Sequence, residues 1–361
     1  MKRWAVAISC WVVFSSSSGY ALSFNINDLT GGTQNQALAA FQQAADRWSA
    51  KLFDPIIVNI DFDFNALGVG VLASAGSLHA SVSLTSVKAQ LAADATSADD
   101  ATAVANLPTG ANFDFRTNQD DGTVILDANN SQNNSNLSIT SANAKALGYT
   151  VNTGGLADVG ITFNSAGGFT WDFDPIIGGI TAGQYDFVGI STHEIGHALG
   201  FVSGVDQVDY YHGSGPGAAE VTCGANSLDP CTVFSVLDLY RYSEDAKLLG
   251  GVGTRDFAYG THPNGLPFFS IDGGITSLGA TFETGANQGT GQQASHWRDG
   301  LGIGIMDPTF AAGELGIITS LDIQAFDVIG FDLTPIPEPA TILLLGTGLL
   351  LAYRCKRKQV A

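Results

Sequence analysis

Methionine is nearly missing from this 361-residue chain, which has two, and histidine (six), cysteine (four) and basic side chains (15 Lys and Arg) are scarce. The shortage of positive charge excludes partners that need it. Between residues 22 and 336, nine basic residues stand against 33 acidic ones, a formal charge of −24. Nucleic acid would be repelled by such a field. No D-x-[DN]-x-[DN]-G loop is present, so the acidity does not read as calcium binding; its ordinary meaning is a solvated surface. No internal repeat runs along the chain, which excludes a stacked array.

The apolar and basic residues that do occur are concentrated at the two ends. Lys2 and Arg3 precede a mostly apolar run from Trp4 to Phe14, then small and polar residues up to Ala21. This is the pattern of a secretory signal over residues 1–21, with the mature chain starting near Leu22. At the other end, Pro337, Glu338 and Pro339 are followed by an apolar run from Thr341 to Tyr353, then by Arg354, Lys356, Arg357 and Lys358. Thirteen apolar residues are short for a spanning helix, which needs about 20. Flanking residues and snorkelling basic side chains can extend it, and the basic cluster predicts a cytoplasmic end.

This order of parts resembles the PEP-CTERM sorting signal. The resemblance implies a Gram-negative host, transient anchoring in the inner membrane through residues 334–361, and removal of that tail by an exosortase. A plain C-terminal anchor is the alternative. Membrane contact is expected through this segment alone. With Cys10 in the signal and Cys355 in the tail, Cys223 and Cys231 remain, eight residues apart in an oxidising compartment, where a disulfide is expected. Two cysteines supply only half of a structural zinc site.

Periodicity within the body points to an α+β fold. Leu38, Phe41, Ala45, Trp48 and Leu52 recur at helical steps over residues 36–52. Val58, Ile60, Phe62 and Phe64 alternate with polar residues, as do Val159, Ile161 and Phe163, each predicting a strand. Residues 86–105 are alanine-rich and expected to be helical, while residues 127–138 read as a polar loop. Residues 204–291 look irregular, with a short helix expected over 233–240. A last helix starts with a capping box at Thr319 and Asp322 and stops at Gly330.

One motif carries chemistry. Residues 193–200 read His193-Glu194-Ile195-Gly196-His197-Ala198-Leu199-Gly200. Positions i and i+4 of a helix share a face, so both imidazoles can reach one metal ion. Glu194 beside them can take a proton from water. A catalytic zinc site needs a third protein ligand, with the fourth position open. The spacing H-E-x-x-H-x-x-G-x-x-H would place it at residue 203, but that residue is Ser203. His296, in Ser295-His296-Trp297, is the best replacement, followed ten residues later by Met306, the only methionine after the signal. Asp206, Asp209, His212, Glu220 and Glu244 are rivals by ligand type. His79 and His262 have no ligand-like sequence neighbours and are expected to be structural or exposed.

The set His193, Glu194, His197, Gly200, a distant His-Trp and Met306 before Asp307-Pro308 resembles the leishmanolysin-type metzincins. The match is confined to residues 186–200 and 292–310. It implies a two-lobed catalytic domain, residues 22–203 holding the active-site helix and 204–333 the third ligand and a Met-turn. It implies Zn2+ on His193, His197 and His296, Glu194 as general base, and Met306 lying under the metal. The function so implied is hydrolysis of protein or peptide substrates by a secreted endopeptidase. A degenerate metal-binding structural or adhesive protein, and a zinc hydrolase acting on polysaccharide esters or amides, are the other readings. No cysteine lies between residues 22 and 222, so no thiol is available there to block the metal.

Overall fold

The computed structural model describes residues 21–119, 121–174, 179–213 and 228–334. The expected signal, Glu220, Cys223 and the sorting tail lie outside these residues. The α+β class is observed, with four sheets and intervening helices among the described residues.

The chain opens with β1 (Ser23–Asp28), α1 (Asn35–Ser49) and β2 (Ile57–Asn65). Helix α1 buries Phe41, Ala44, Ala45 and Trp48 on one side. It stops short of Leu52, which instead makes an isolated bridge to Leu333. Next come β3 (Ala73–Ser77), β4 (His79–Ser83), α2 (Leu84–Asp94) and α3 (Ala98–Ala105). The single helix expected over residues 86–105 is therefore two. Ser97 Oγ accepts the Asp100 amide at 2.9 Å and Asp100 returns the bond to the Ser97 amide at 3.0 Å. That capping box starts a new helix where the alanine-rich composition suggested continuation.

Strands β5 (Phe115–Asn118) and β6 (Val124–Asp127) precede α4 (Gln132–Ser135), β7 (Asn136–Thr140) and α5 (Ser141–Ala146). The polar loop expected over 127–138 thus contains a helical turn and the start of a strand. Leu137 and Ile139 are buried, and β7 pairs with β4. Strand β8 (Val159–Asn164) follows as expected, then β9 (Trp171–Asp172), β10 (Tyr185–Asp186), α6 (Phe187–Leu199) and α7 (Val205–Gly213).

The main sheet has the order β1-β2-β8-β3, parallel except for β3, which runs antiparallel at the edge. Its inner face presents Val58, Ile60, Phe62, Ile161 and Phe163, all buried. Phe62 meets Phe41 of α1 with ring centroids 5.1 Å apart, and Phe163 meets Phe187 of α6 at 4.4 Å. Each such ring contributes about 1.5–3 kcal/mol by burial. This packing fixes α6 against the sheet, with β3 alongside.

Among the described residues from 204 to 291 most are irregular, as expected, but α7 and a further helix, Glu244–Gly250, are not expected from the sequence. The helix expected over 233–240 shrinks to a 3-10 turn, Leu237–Tyr240, because Asp238 turns inward to accept the amides of Gly204 (2.8 Å) and Ser235 (2.7 Å). Two-residue strands β11 (Arg241–Tyr242), β12 (Arg255–Asp256) and β13 (Phe268–Phe269) join β5 and β6 in one sheet, so strands from both sides of residue 203 share it. Cys231 is buried and disulfide-bonded. The last described helix, Ser320–Val328, has the expected cap: Asp322 accepts from the Thr319 amide at 2.7 Å. Gly330 follows with φ +103°, a conformation that favours glycine. Among the described residues no helix is long and apolar enough to cross a membrane.

Candidate metal centre

Helix α6 is nearly all buried. Asp186 caps its start, accepting from the Gly189 amide at 2.7 Å and, across the fold, from the Gly316 amide at 3.0 Å. Gly200 ends it at φ +121°, where a β-carbon would also stand 3.0 Å from Asn143. Between these ends His193 and His197 sit one turn apart.

The structure brings His193, His197 and His296 together. Their Nε2 atoms form a triangle with sides of 3.0, 3.1 and 3.2 Å. Each Nδ1 faces a backbone carbonyl: Ile305 for His193 (2.8 Å), Phe201 for His197 (2.7 Å) and Gln293 for His296 (3.0 Å). A carbonyl oxygen can only accept, so each Nδ1 carries the proton and each neutral ring turns an unprotonated Nε2 toward the other two. Three lone pairs at this separation repel unless a cation lies among them. Two ligands about 2.0–2.1 Å from one tetrahedral ion stand about 3.3 Å apart, so the triangle fits a metal. Carbonyl partners on the far nitrogens are the usual means of orienting ligand imidazoles.

Burial keeps these rings neutral. It lowers His193 to about 3, with the neighbouring His197 adding to the effect, and lowers His197 to about 4. His296 is held well below the usual range, by burial first and then by the other two rings. Glu194 is 6 % exposed, and burial raises its carboxyl to about 8.

The three histidines and Glu194 line a cleft of about 700 Å³. Residues 70–75, ending on edge strand β3, form one wall; Pro308, Thr309 and Phe310 are on the wall after the methionine. Among the described residues no tyrosine, lysine or arginine lines it.

Met306 is fully buried under α6, where a β-carbon on Gly196 would run into its Sδ and come within 3.2 Å of its Cε. Asp322 holds this turn in place. Besides capping its own helix, it accepts from the Ile305 amide at 2.9 Å and from Trp297 Nε1 at 2.9 Å. It therefore ties Ile305, whose carbonyl accepts from His193, to the neighbour of His296. Only the cap is legible in the sequence; the long-range partners have no local signal there.

The rivals for the third ligand are elsewhere. Ser203 hydrogen-bonds Asp238 at 2.6 Å. Asp206 is bound to the amides of Ala294 and Ser295, and Asp209 to those of Asn287 and Gln288. Glu244 pairs with Lys247 at 3.1 Å on the surface. The His212 side chain and Glu220 lie outside the described residues. Among the described residues, the three histidines form the single group able to hold a metal. His79 is exposed and bonds Ser138 at 3.1 Å; the His262 ring is buried, 3.3 Å from Asp256, a neighbour invisible in sequence.

The family described as PEP-CTERM protein-sorting motif matches residues 335–358. The chain therefore carries this sorting motif, which indicates export and C-terminal membrane-associated sorting in Gram-negative bacteria, and implies processing of the tail by exosortase. No curated protein matches the chain. No solved structure matches it either. The metzincin resemblance rests on the motif residues alone.

Proposed function

We propose that the chain is an exported zinc-dependent endopeptidase, with residues 22–333 as its catalytic part. The observation that carries this reading is the convergence of three unprotonated Nε2 atoms in a cleft that also holds a buried carboxyl, Glu194. His193, His197 and His296 hold the ion. Zinc supplies a Lewis acid there that polarises a carbonyl and makes water more acidic. Three ligands from protein leave a position open, which distinguishes a catalytic from a structural site.

Glu194 moves the proton. Its carboxylate accepts it from the attacking water and passes it to the leaving amine. Edge strand β3 supports a peptide substrate. It pairs with β8 on one side and with no strand on the other among the described residues, and its first three residues line the cleft. An extended peptide can add to such an edge, its backbone bonded to β3 and its carbonyl carried past the histidines. Ala73, Ser74 and Ala75 have small side chains, leaving room for those of the substrate.

A purely structural or adhesive metal protein would have no use for Glu194 beside the ligands. Ser203, the departure that suggests degeneracy, is accounted for by its bond to Asp238, with His296 taking the ligand position. The Cys223–Cys231 disulfide belongs to the same proposal of an exported chain. Glu194→Gln tests the reading: the variant should keep its metal and lose at least about a thousandfold in peptide hydrolysis, in the range expected for removing an acid–base group that also orients water. Wild-type rates in that variant would remove Glu194 from the role, and absence of cleavage by the wild type on any unfolded protein would remove the peptidase.

A further inference from the structure

His296 joins the cluster from 99 positions after His197, so something must hold its loop in register with α6. Helix α7 does this. It begins five residues after α6 has ended at Gly200, and two of its aspartates face the incoming loop. Asp206 Oδ1 accepts from the Ala294 amide at 2.6 Å, and Oδ2 accepts from the Ser295 amide at 3.1 Å and from the Ser295 hydroxyl. Ser295 Oγ in turn accepts from the Ser203 amide at 2.9 Å. Asp209 accepts from Asn287 at 2.8 Å and Gln288 at 2.6 Å, pinning the base of the same loop. The two residues immediately before the third histidine are thus bound to the segment immediately after the first two. Gln293, which orients the His296 ring through its carbonyl, lies next to the clamped pair.

We propose that Asp206 is a positioning residue for the third metal ligand: by fixing Ala294 and Ser295 it delivers the His296 imidazole to the two helix histidines. The proposal rests on the metal-centre reading. In a short-spacer motif the backbone itself limits where the third histidine can go. Here the intervening stretch is long, and a loop of that length has many closed conformations. A carboxylate with two oxygens accepting three donors on adjacent residues selects one. Residues that orient metal ligands from behind typically change affinity by about 10–100-fold when lost.

Zinc affinity of the full chain, measured by competition with a chelator, tests this in four forms: wild type, Asp206→Asn, His296→Ala and the double variant, each checked for a cooperative unfolding transition. Acting through His296, Asp206→Asn should weaken zinc binding about tenfold or more in the wild type and leave the residual affinity of His296→Ala unchanged, a non-additive cycle. Equal losses in both backgrounds would make Asp206 a general support of the fold and overturn the proposal, as would unchanged affinity in the single variant. If Asp206→Asn does not fold, Ser295→Ala replaces it in the same cycle, since it removes the hydroxyl shared by Asp206 and Ser203. Wild-type affinity in His296→Ala would sink the three-histidine centre itself, a failure separate from that of the clamp.

Discussion

Gly196→Ala sets two effects of opposite sign against each other inside the site. The residue lies in α6, between the two helix histidines, where alanine is favoured over glycine by about 0.8–1.0 kcal/mol. An added β-carbon, however, would collide with Met306 Sδ, and would sit 3.2 Å from its Cε and 3.4 Å from Trp48. Neither neighbour is free to yield. Met306 is fully buried and its carbonyl accepts from the Trp297 amide at 3.0 Å; Trp48 Nε1 donates to the Thr192 carbonyl at 2.8 Å. Overpacking of this kind costs about 1–3 kcal/mol, and a collision inside contact distance belongs at the upper end. Net destabilisation is then about 2 kcal/mol, a fall of about 3 °C in unfolding midpoint for a chain of this size. Any relief that pushes the turn away also moves Ile305, whose carbonyl orients His193, so metal affinity should fall with stability. Thermal unfolding with and without a chelator reads both quantities. A variant with a raised midpoint and undiminished metal binding would show that helix propensity wins and that the turn does not pack as described.

Other expectations concern the supports and the pH response. Asp322→Ala leaves the Ile305 amide and Trp297 Nε1 without a partner in a buried place, so a loss of about 3–5 kcal/mol is expected by denaturant unfolding; a loss under about 1 kcal/mol would refute its role as a tie. Burial, reinforced by repulsion among neighbouring aspartates, holds the carboxyls of Asp54, Asp94 and Asp327 up at about 7. Their folded values exceed the unfolded ones, so the stability they contribute is complete below about pH 4 and is lost as pH rises through 7. Relative to Asp327→Asn, the wild type should therefore lose unfolding midpoint as pH rises from about 4 to about 8, a comparison in which every other titration is shared. A wild-type midpoint that rises relative to the variant over that range contradicts this.

Much of the first half was legible because its periods are long and clean. The alternation around Phe62 and Ile161 marks strands, and the stripe from Phe41 to Trp48 marks a helix. The approach of His193 and His197 was legible from their spacing, and that of His296 from chemistry, since few other histidines were available. What stayed hidden depends on contacts between distant residues. The break between α2 and α3 is made by a Ser97–Asp100 cap within a run whose alanines mask it. Strands β11, β12 and β13 are two residues long and carry no period. Asp206 offers the same carboxylate whether it binds a metal or two backbone amides, and only the fold tells which.

The most direct test of the account is the metal content of the purified exported chain, wild type beside His296→Ala, after equilibration with zinc and removal of excess. The account expects about one zinc per chain in the wild type and much weaker retention in the variant. Full zinc in both would contradict His296 as a ligand, and no zinc in the wild type would contradict the metal centre itself.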